Sequence, residues 1–193
     1  MTKVVLIRPG STEYDEQNRI QGTLDLPLSA RGVQEATELA DALRPISVQA
    51  LYCCAGESCG ATARTVAKAL GVRLRKLDKL HNLNQGLWQG LQVDEVRRKH
   101  PRVYRQWCEA PTTVCPPEGE TFSDAAERVR KALAPVIKRN RDKVIGLVVP
   151  QPLAGVVRCF LLKHDLARVW EQAESNGRCE VIEVPIEQSP VKS

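Results

Sequence analysis

The sequence contains few aromatic residues and few histidines, and both scarcities limit the functions it can have. Its 193 residues include three Trp, three Tyr, two Phe and three His. A single-stranded nucleic-acid site needs basic residues interleaved with aromatic side chains on one face. The Lys and Arg residues that give the net charge of +5 are instead scattered over several segments. We therefore expect solvated basic helix faces and no nucleic-acid partner.

Long apolar runs and a recognisable leader are also missing. No apolar stretch approaches the ~20 residues that span a membrane, and the chain begins with a strand-like pattern. The seven cysteines contain no Cys-x-x-Cys pair, and nothing indicates an oxidising compartment. We expect a cytoplasmic protein without membrane contact, with one domain over residues 1–184 and a disordered tail over residues 185–193.

Short apolar runs predict five strands, at residues 4–7, 51–54, 72–77, 144–149 and 179–184. The run at 144–149 is the longest and is typical of a central parallel strand. Ser29 is a suitable N-cap for a helix that Pro45 ends. The apolar face of that helix is predicted from the spacing of four residues, Val33, Ala36, Ala40 and Leu43. Residues 93–117 are charged and broken by prolines, with Tyr104 and Trp107 as packing anchors.

The first strand is followed by a motif that suggests a family. Residues 6–13, Leu-Ile-Arg-Pro-Gly-Ser-Thr-Glu, resemble the signature of the histidine phosphatase (phosphoglycerate mutase-like) superfamily, in which Arg-His-Gly-Glu-Thr follows the first strand. The His of that signature is the nucleophile, and here the position is Pro9. Proline has no side-chain nucleophile and no backbone N–H to offer a phosphoryl oxygen. The Arg of the signature is retained as Arg8, whose side chain we expect in the ligand pocket.

Further motifs extend the resemblance from Val4 to about Val184. They are Arg-x-Gln-Gly at 19–22, Thr62-Ala63, the Leu, Gly, Trp and Gly of residues 80–90, and Gly119-Glu120. The resemblance implies an α/β fold, a three-layer α/β/α sandwich with a mostly parallel central sheet. It also implies that Ser58 replaces the family's second Arg, Asn82 its proton-donating Glu and Gln151 its second His. The predicted vestigial pocket consists of six residues, Arg8, Pro9, Gln21, Ser58, Asn82 and Gln151.

Four replacements of catalytic residues predict a catalytically inactive protein that acts by binding. They are Pro9, Ser58, Asn82 and Gln151. The partner is another protein or a small ligand that the sequence does not identify, and the oligomeric state is not predicted. We expect no catalytic residue, no cofactor and no metal ion. The loss of nucleophile, acid and charge together excludes appreciable turnover by the family mechanism.

The alternative is an active phosphatase or phosphoryl-transfer enzyme with a non-standard nucleophile, for which a cysteine is one candidate. Cys53 and Cys54 end a predicted strand, and Cys59 would open the next helix, where a thiolate is favoured. Packing in place of small serines is the simpler explanation, because no His or general acid is placed beside them. A metal site that also used His81 is not expected, since adjacent residues on a strand point to opposite faces.

Overall fold

A computed structural model describes residues 1–171 and 176–185 of the chain. A five-stranded sheet with the order β3-β2-β4-β1-β5 forms its centre. The strands are β1 (Lys3–Ile7), β2 (Ala50–Cys54), β3 (Leu74–Leu77), β4 (Val144–Val148) and β5 (Cys179–Glu183). β1 to β4 are parallel, whereas β5 lies antiparallel to β1. Each strand falls where the sequence predicts one.

Central position in the sheet explains the apolar sequences of β1 and β4. Helices cover both faces of a parallel sheet, so its inner strands carry apolar residues at consecutive positions rather than at alternate ones. Val4, Val5, Leu6 and Ile7 are all fully buried. At the edge of the sheet, the side chains of β3 are only partly buried. The carboxyl ends of β1, β2 and β4 therefore meet at one edge of a well-packed core.

Helices flank the sheet, with α2 packed against α3 and α6 against α7. Their bounds are α1 (Glu13–Glu16), α2 (Ala30–Leu43), α3 (Glu57–Leu70), α4 (Val93–Lys99), α5 (Pro101–Glu109), α6 (Phe122–Arg139) and α7 (Leu153–Leu162). This confirms the predicted α/β class with a mostly parallel central sheet. Ser29 caps α2 as predicted, accepting a hydrogen bond from the Gly32 N–H at 3.1 Å. Pro152 is the residue immediately before the first residue of α7.

The predicted apolar face of α2 is wrong at one position. Val33 is 54% exposed, and Gly32 is buried in its place. A Cβ at position 32 would lie 1.9 Å from the carbonyl oxygen of Ser11, so the helix approaches the loop after β1 more closely than a larger residue allows. This contact turns the buried face toward Gly32 and Leu39 and leaves Val33 at its margin.

Residues 93–117, which the sequence showed only as charged and broken by prolines, form α4, α5 and a 3-10 turn at Pro111–Thr113. Trp107 is buried, as its predicted role of packing anchor requires. Of the tail predicted to be disordered, residues 186–193 lie outside the described part of the chain. Within the described residues, no helix combines the length and the hydropathy needed to cross a membrane.

Candidate functional site

Two adjoining cavities open where β1, β2 and β4 end. The larger has a volume of about 250 Å³ and the smaller one of about 180 Å³. Four residues line both cavities, Gln21, Gly22, Ser58 and Pro150. Ligands of open α/β sheets bind outside the carboxyl ends of the strands, so this is the expected place for a site. Of the six predicted pocket residues, Pro9 and Gln151 line the larger cavity and Asn82 lines the smaller one.

The loop after β1 is held tightly against the rest of the protein. The Gly10 N–H donates a hydrogen bond to Oγ1 of Thr62 on α3 at 3.0 Å. A Cβ at position 10 would lie 2.1 Å from the Gly32 carbonyl oxygen, so a glycine is required here. Ser11 donates two hydrogen bonds to Oε2 of Glu35, from its N–H at 2.8 Å and from its hydroxyl at 2.7 Å. Pro9 is thus presented to the larger cavity by a loop with little freedom.

Arg8 does not lie where the sequence predicts it. Its side chain is 1% exposed and is not among the described residues that line either cavity. Nη2 of Arg8 lies 3.6 Å from Oε1 of Glu180 on β5, and Oε2 of Glu180 accepts a hydrogen bond from Nε of Arg158 at 3.2 Å. A buried guanidinium requires a nearby carboxylate, and Glu180 pairs with Leu6 across the sheet. Arg8 is therefore directed toward Glu180 on β5.

Glu180 is a residue that the sequence analysis did not single out. Its strand, Cys179–Glu183, carries charged residues at two positions of an otherwise apolar segment. A carboxylate within a strand that neighbours β1 is the feature that could have indicated a partner for Arg8. Without strand pairing, however, the sequence gives no reason to connect residues 8 and 180.

Ser58 lies in the first turn of α3 and lines both cavities. It is buried, with 4% of its surface exposed. Gly56 precedes the helix and provides no side-chain cap, while the Glu57 N–H donates to Oδ1 of Asp25 at 2.5 Å. The amide groups at a helix N-terminus carry a partial positive charge and attract anions. The Asp25 carboxylate already accepts the Glu57 N–H and offsets part of that charge, so Ser58 contributes its hydroxyl beside a helix end whose positive charge is reduced.

Asn82 connects the loops around the smaller cavity. Its Nδ2 donates to the carbonyl oxygens of Gly22 at 2.9 Å and of Gln151 at 3.0 Å, and its Oδ1 accepts the Leu83 N–H at 2.9 Å. A carboxylate at this position could not donate the first two bonds. The structure thus gives Asn82 a positioning role between the loops that follow β1 and β4.

Gln21 and Gln151 contribute carboxamides to the cavities. Nε2 of Gln21 donates to the Leu24 carbonyl oxygen at 3.1 Å. Oε1 of Gln151 is buried and accepts no hydrogen bond from the described residues. Buried polar atoms almost always have a hydrogen-bond partner, so this acceptor is suited to a donor on a bound molecule.

The larger cavity has nearly balanced charge. Of the described residues that line it, Asp15 and Arg19 are charged and none is a histidine. Asp15 accepts hydrogen bonds from the N–H and hydroxyl of Thr12 at 2.7 and 2.8 Å. Arg19 donates to the Gly90 carbonyl oxygen at 2.7 Å. His81 lines the smaller cavity, where its Nδ1 lies 2.9 Å from the carbonyl oxygen of Asn82.

Cys53 and Cys59, two of the cysteines near the site, are not activated as thiolates. Cys59 lines the smaller cavity, and its Sγ lies 3.1 Å from Sγ of Cys54. This hydrogen bond, together with burial, holds the pKa of Cys59 well above its ordinary value. Burial likewise raises the pKa of Cys53 to about 11. The prediction that the start of α3 favours a Cys59 thiolate is wrong, because desolvation and the Cys54 contact outweigh the helix dipole.

Aromatic side chains in contact with one another form one wall of the larger cavity. Trp88, Tyr104, Trp107 and Trp170 all line it. The ring centroids of Trp88 and Trp107 lie 5.6 Å apart at 77°, and those of Trp107 and Trp170 lie 5.7 Å apart at 57°. Nε1 of Trp170 donates to the Trp107 carbonyl oxygen at 2.8 Å. Tyr104 and Trp107 are the packing anchors expected from the sequence, whereas no sequence pattern indicated Trp170.

Comparison with known proteins gives the following relatives. A curated relative, phosphoserine phosphatase 1 of Hydrogenobacter thermophilus, is 31% identical over 182 residues, which are 94% of this chain and 86% of the relative. A probable phosphoglycerate mutase of Salmonella arizonae is 30% identical over 69% of this chain, which spans 62% of that relative's length. The solved structure of a mycobacterial glucosyl-3-phosphoglycerate phosphatase complexed with VO3 has a TM-score of 0.84 at 25% identity, covering 94% of this chain and 90% of that one.

These relatives contradict the prediction of a catalytically inactive protein that acts only by binding. Two of them are named as phosphatases, which favours the alternative of an active phosphatase. The sequence argument counted the side chains of a single mechanism. Binding that favours the transition state and stabilisation of developing charge also accelerate reactions, and in serine proteases the oxyanion hole and binding leave roughly 10³- to 10⁴-fold catalysis after the reacting side chains are removed. The loss of one set of catalytic residues therefore does not establish inactivity.

The family itself follows from the extent of the match. A model of the histidine phosphatase superfamily (branch 1) matches residues 4–191. The sheet order, the loop motifs and the site at the carboxyl ends of β1, β2 and β4 all lie within those residues. The chain belongs to the histidine phosphatase superfamily (branch 1).

Proposed function

We propose that the protein is a phosphatase of small phosphomonoesters whose nucleophile is not a histidine. The observation that carries this proposal is the larger cavity, which is enclosed by loops from three strand ends and borders the first turn of α3. Its volume of about 250 Å³ lies slightly below the ~300–1,000 Å³ of typical small-molecule sites. The phosphatase names of two relatives support the same reaction class. A cytoplasmic location remains part of the proposal.

The phosphoryl group would bind at the start of α3. The Ser58 hydroxyl would donate to the anion there, and the helix end adds the part of its positive charge that the Asp25 carboxylate does not offset. Gly56 leaves room because it has no side chain. Arg19 also lines the cavity and adds a cation. Since Arg8 is directed to Glu180, the site would rely on hydrogen-bond donors and the helix end more than on paired arginines.

Ser58 is the residue that we assign to the attack on phosphorus. Its Oγ would bond to phosphorus while the bond from phosphorus to the ester oxygen breaks, and the hydroxyl proton would leave with the alcohol product. Water would then hydrolyse the phosphoserine and release inorganic phosphate. A cysteine nucleophile has less support, because the thiols of Cys53 and Cys59 have raised pKa values and remain protonated near neutral pH.

Steady-state hydrolysis of a panel of phosphomonoesters tests the proposal. We expect turnover above the buffer rate and a fall of at least about 100-fold in kcat/KM for Ser58→Ala. Thr65→Ala is the matched control, since Thr65 lies on the same helix and its hydroxyl donates to the Ala61 carbonyl oxygen. That variant should retain activity.

Trapping of the intermediate identifies the nucleophile separately. Acid quenching of a reaction with radiolabelled substrate should give an acid-stable phosphoprotein that Ser58→Ala abolishes. An acid-labile adduct would point to a histidine and overturn the assignment of Ser58. Failure of every ester in the panel to turn over would overturn the phosphatase proposal itself.

A further inference from the structure

The distribution of aromatic residues around the larger cavity is strongly uneven. The chain has three Trp, three Tyr and two Phe, and all three Trp together with Tyr104 line this cavity. They come from three separate segments, the 3-10 turn Gly86–Trp88, α5, and the residues after the 3-10 turn Leu166–Arg168. A chain that is only 4% aromatic thus concentrates its large flat side chains at one site.

Packing holds these rings in place before any ligand binds. Trp107 lies between Trp88, Trp170 and Phe122, with its centroid 4.8 Å from that of Phe122. Trp88 and Trp107 are almost fully buried, so they cannot reorient freely. Because the indole N–H of Trp170 donates to Trp107, that polar group needs no partner on a ligand. The wall is therefore rigid, and most of its accessible ring surface comes from Tyr104 and Trp170, which are only partly buried.

The cavity consequently has two chemically different ends. Pro9, Gly10, Ser58 and Gln151 form a polar end at the strand termini, and the aromatic residues form an apolar end. A ligand that matches both ends has an anionic group joined to a flat apolar group. The buried Oε1 of Gln151 between the loops suits a hydrogen-bond donor on that ligand.

We propose that this site selects phosphomonoesters whose alcohol part carries an aromatic ring, which stacks against the wall formed by Trp88, Tyr104, Trp107 and Trp170. The phosphomonoester as substrate rests on the proposed function, whereas the preference for an aromatic ring is a property of binding and does not depend on hydrolysis. Small polar alcohol parts, such as that of phosphoserine, would leave the apolar wall unmatched and would lose their own hydration on entering. The cavity volume of about 250 Å³ limits the ligand to a small ring system.

Binding of two phosphonates that cannot be hydrolysed tests the selection without requiring activity. Phenylphosphonate and methylphosphonate share the anionic group and differ in the ring. We expect phenylphosphonate to bind at least about tenfold more tightly by calorimetry, since burial of a phenyl group against apolar surface is favourable. Intrinsic tryptophan fluorescence should change with phenylphosphonate, because every Trp in the chain lines this cavity.

Variants separate the wall from general effects on folding. Tyr104→Ala and Trp170→Phe should each reduce the preference for phenylphosphonate. Tyr104→Ala is the safer of the two, because Trp170→Phe also removes the hydrogen bond to the Trp107 carbonyl oxygen and alters the ring contacts with Trp107 and Phe122. Val103→Ala is the control, since Val103 is exposed on the same helix and does not line the cavity. It should leave the preference unchanged.

The outcomes distinguish this inference from the proposed function. A preference for phenylphosphonate without any hydrolysis would support the aromatic selection and overturn the phosphatase proposal. Equal affinities for the two phosphonates would overturn the selection, whatever the hydrolysis assays show. A tighter fit for phosphocholine than for phenylphosphonate would also overturn it, because the rings would then bind a cation and not an aromatic group.

Discussion

The polar and aromatic ends of the larger cavity are built in different ways. At the polar end, the backbone of the loops is fixed by hydrogen bonds such as Gly10 to Thr62 and Asn82 to Gln151, at 3.0 Å each. At the aromatic end, Trp88, Trp107 and Trp170 are held mainly by contact between rings. The polar end is therefore a property of local loop chemistry, whereas the aromatic end depends on distant segments packing together.

This difference indicates how each end tolerates change. A loop fixed by close backbone contacts has no alternative arrangement when an atom is added, because backbone atoms cannot move aside cheaply. A cluster of rings can exchange one large apolar side chain for another at a smaller cost. Selection for a new substrate is thus easier at the aromatic end, while the polar end keeps the position of the phosphoryl group.

The largest effect is expected for Gly10→Ala at the polar end. The added Cβ would lie 2.1 Å from the Gly32 carbonyl oxygen, which belongs to the backbone of α2. We expect the free energy of unfolding to fall by about 3 kcal/mol or more, at the upper end of overpacking effects. Urea denaturation followed by circular dichroism measures it.

Gly60→Ala is the matched control for that change. Gly60 lies inside α3, where an added Cβ would meet only the end of the Arg64 side chain, at 3.2 Å. Because alanine favours the helix, this variant should gain roughly 0.5–1 kcal/mol. Equal stability of Gly10→Ala and the wild type would show that the loop after β1 is looser than the polar end requires.

An intermediate effect is expected at Asn82. Asn82→Ala removes three hydrogen bonds and leaves the buried carbonyl oxygens of Gly22 and Gln151 without this donor. We expect a loss of about 2–3 kcal/mol in urea denaturation, at roughly 1 kcal/mol for each bond.

Asn82→Asp provides the comparison, because it keeps the acceptor for the Leu83 N–H but, when ionised, cannot donate. It should be at least as destabilised as Asn82→Ala at neutral pH. Its stability should recover toward acidic pH, where the carboxyl regains one donor. A pH-independent deficit in this variant would contradict the positioning role of Asn82.

The sequence predicts the polar end better than the aromatic end, for the same physical reason. Glycine, proline and apolar periodicity act over a few residues, so strands such as β4 and the motif glycine at position 10 can be identified locally. The orientation of Arg8 depends on Glu180 from an antiparallel strand at the other end of the chain. Trp170 joins Trp107 from 63 residues away, and no local pattern indicates that contact.

The sequence also identified the site residues without indicating the role of each one. Sequence could identify Pro9, Ser58, Asn82 and Gln151 as replacements within the family motifs, and the structure places all four around the two cavities. The hydrogen bonds by which Asn82 joins the Gly22 and Gln151 loops depend on the fold and could not be read from the sequence. The phosphatase name of a relative comes from the comparison with known proteins. The prediction that the site has no catalytic residue is not tested by the structure. The proposed role of Ser58 as nucleophile is the alternative to it.

The smallest effect is expected for the thiols behind the polar end, where it concerns reactivity and not folding. Burial raises the pKa of Cys53 from its ordinary value of 9.0 to about 11, so near neutral pH its thiolate fraction should be about 100-fold lower than that of an ordinary thiol. Cys108 and Cys115 are exposed and serve as internal controls. Iodoacetamide labelling resolved by peptide mass spectrometry should modify these two first and leave Cys53, Cys54 and Cys59 nearly unlabelled.

Labelling over a range of pH then sharpens the result. A thiol whose folded pKa lies above its unfolded value stabilises the protein below the unfolded value, and that contribution disappears as the pH rises from 9 to about 11. Cys53 should therefore label faster across that window, and the protein should lose stability there. Urea denaturation of Cys53→Ala should show a weaker loss across the same window than the wild type. Rapid modification of Cys59 at neutral pH would instead reveal an activated thiolate at the start of α3, and it would restore cysteine as the candidate nucleophile in place of Ser58.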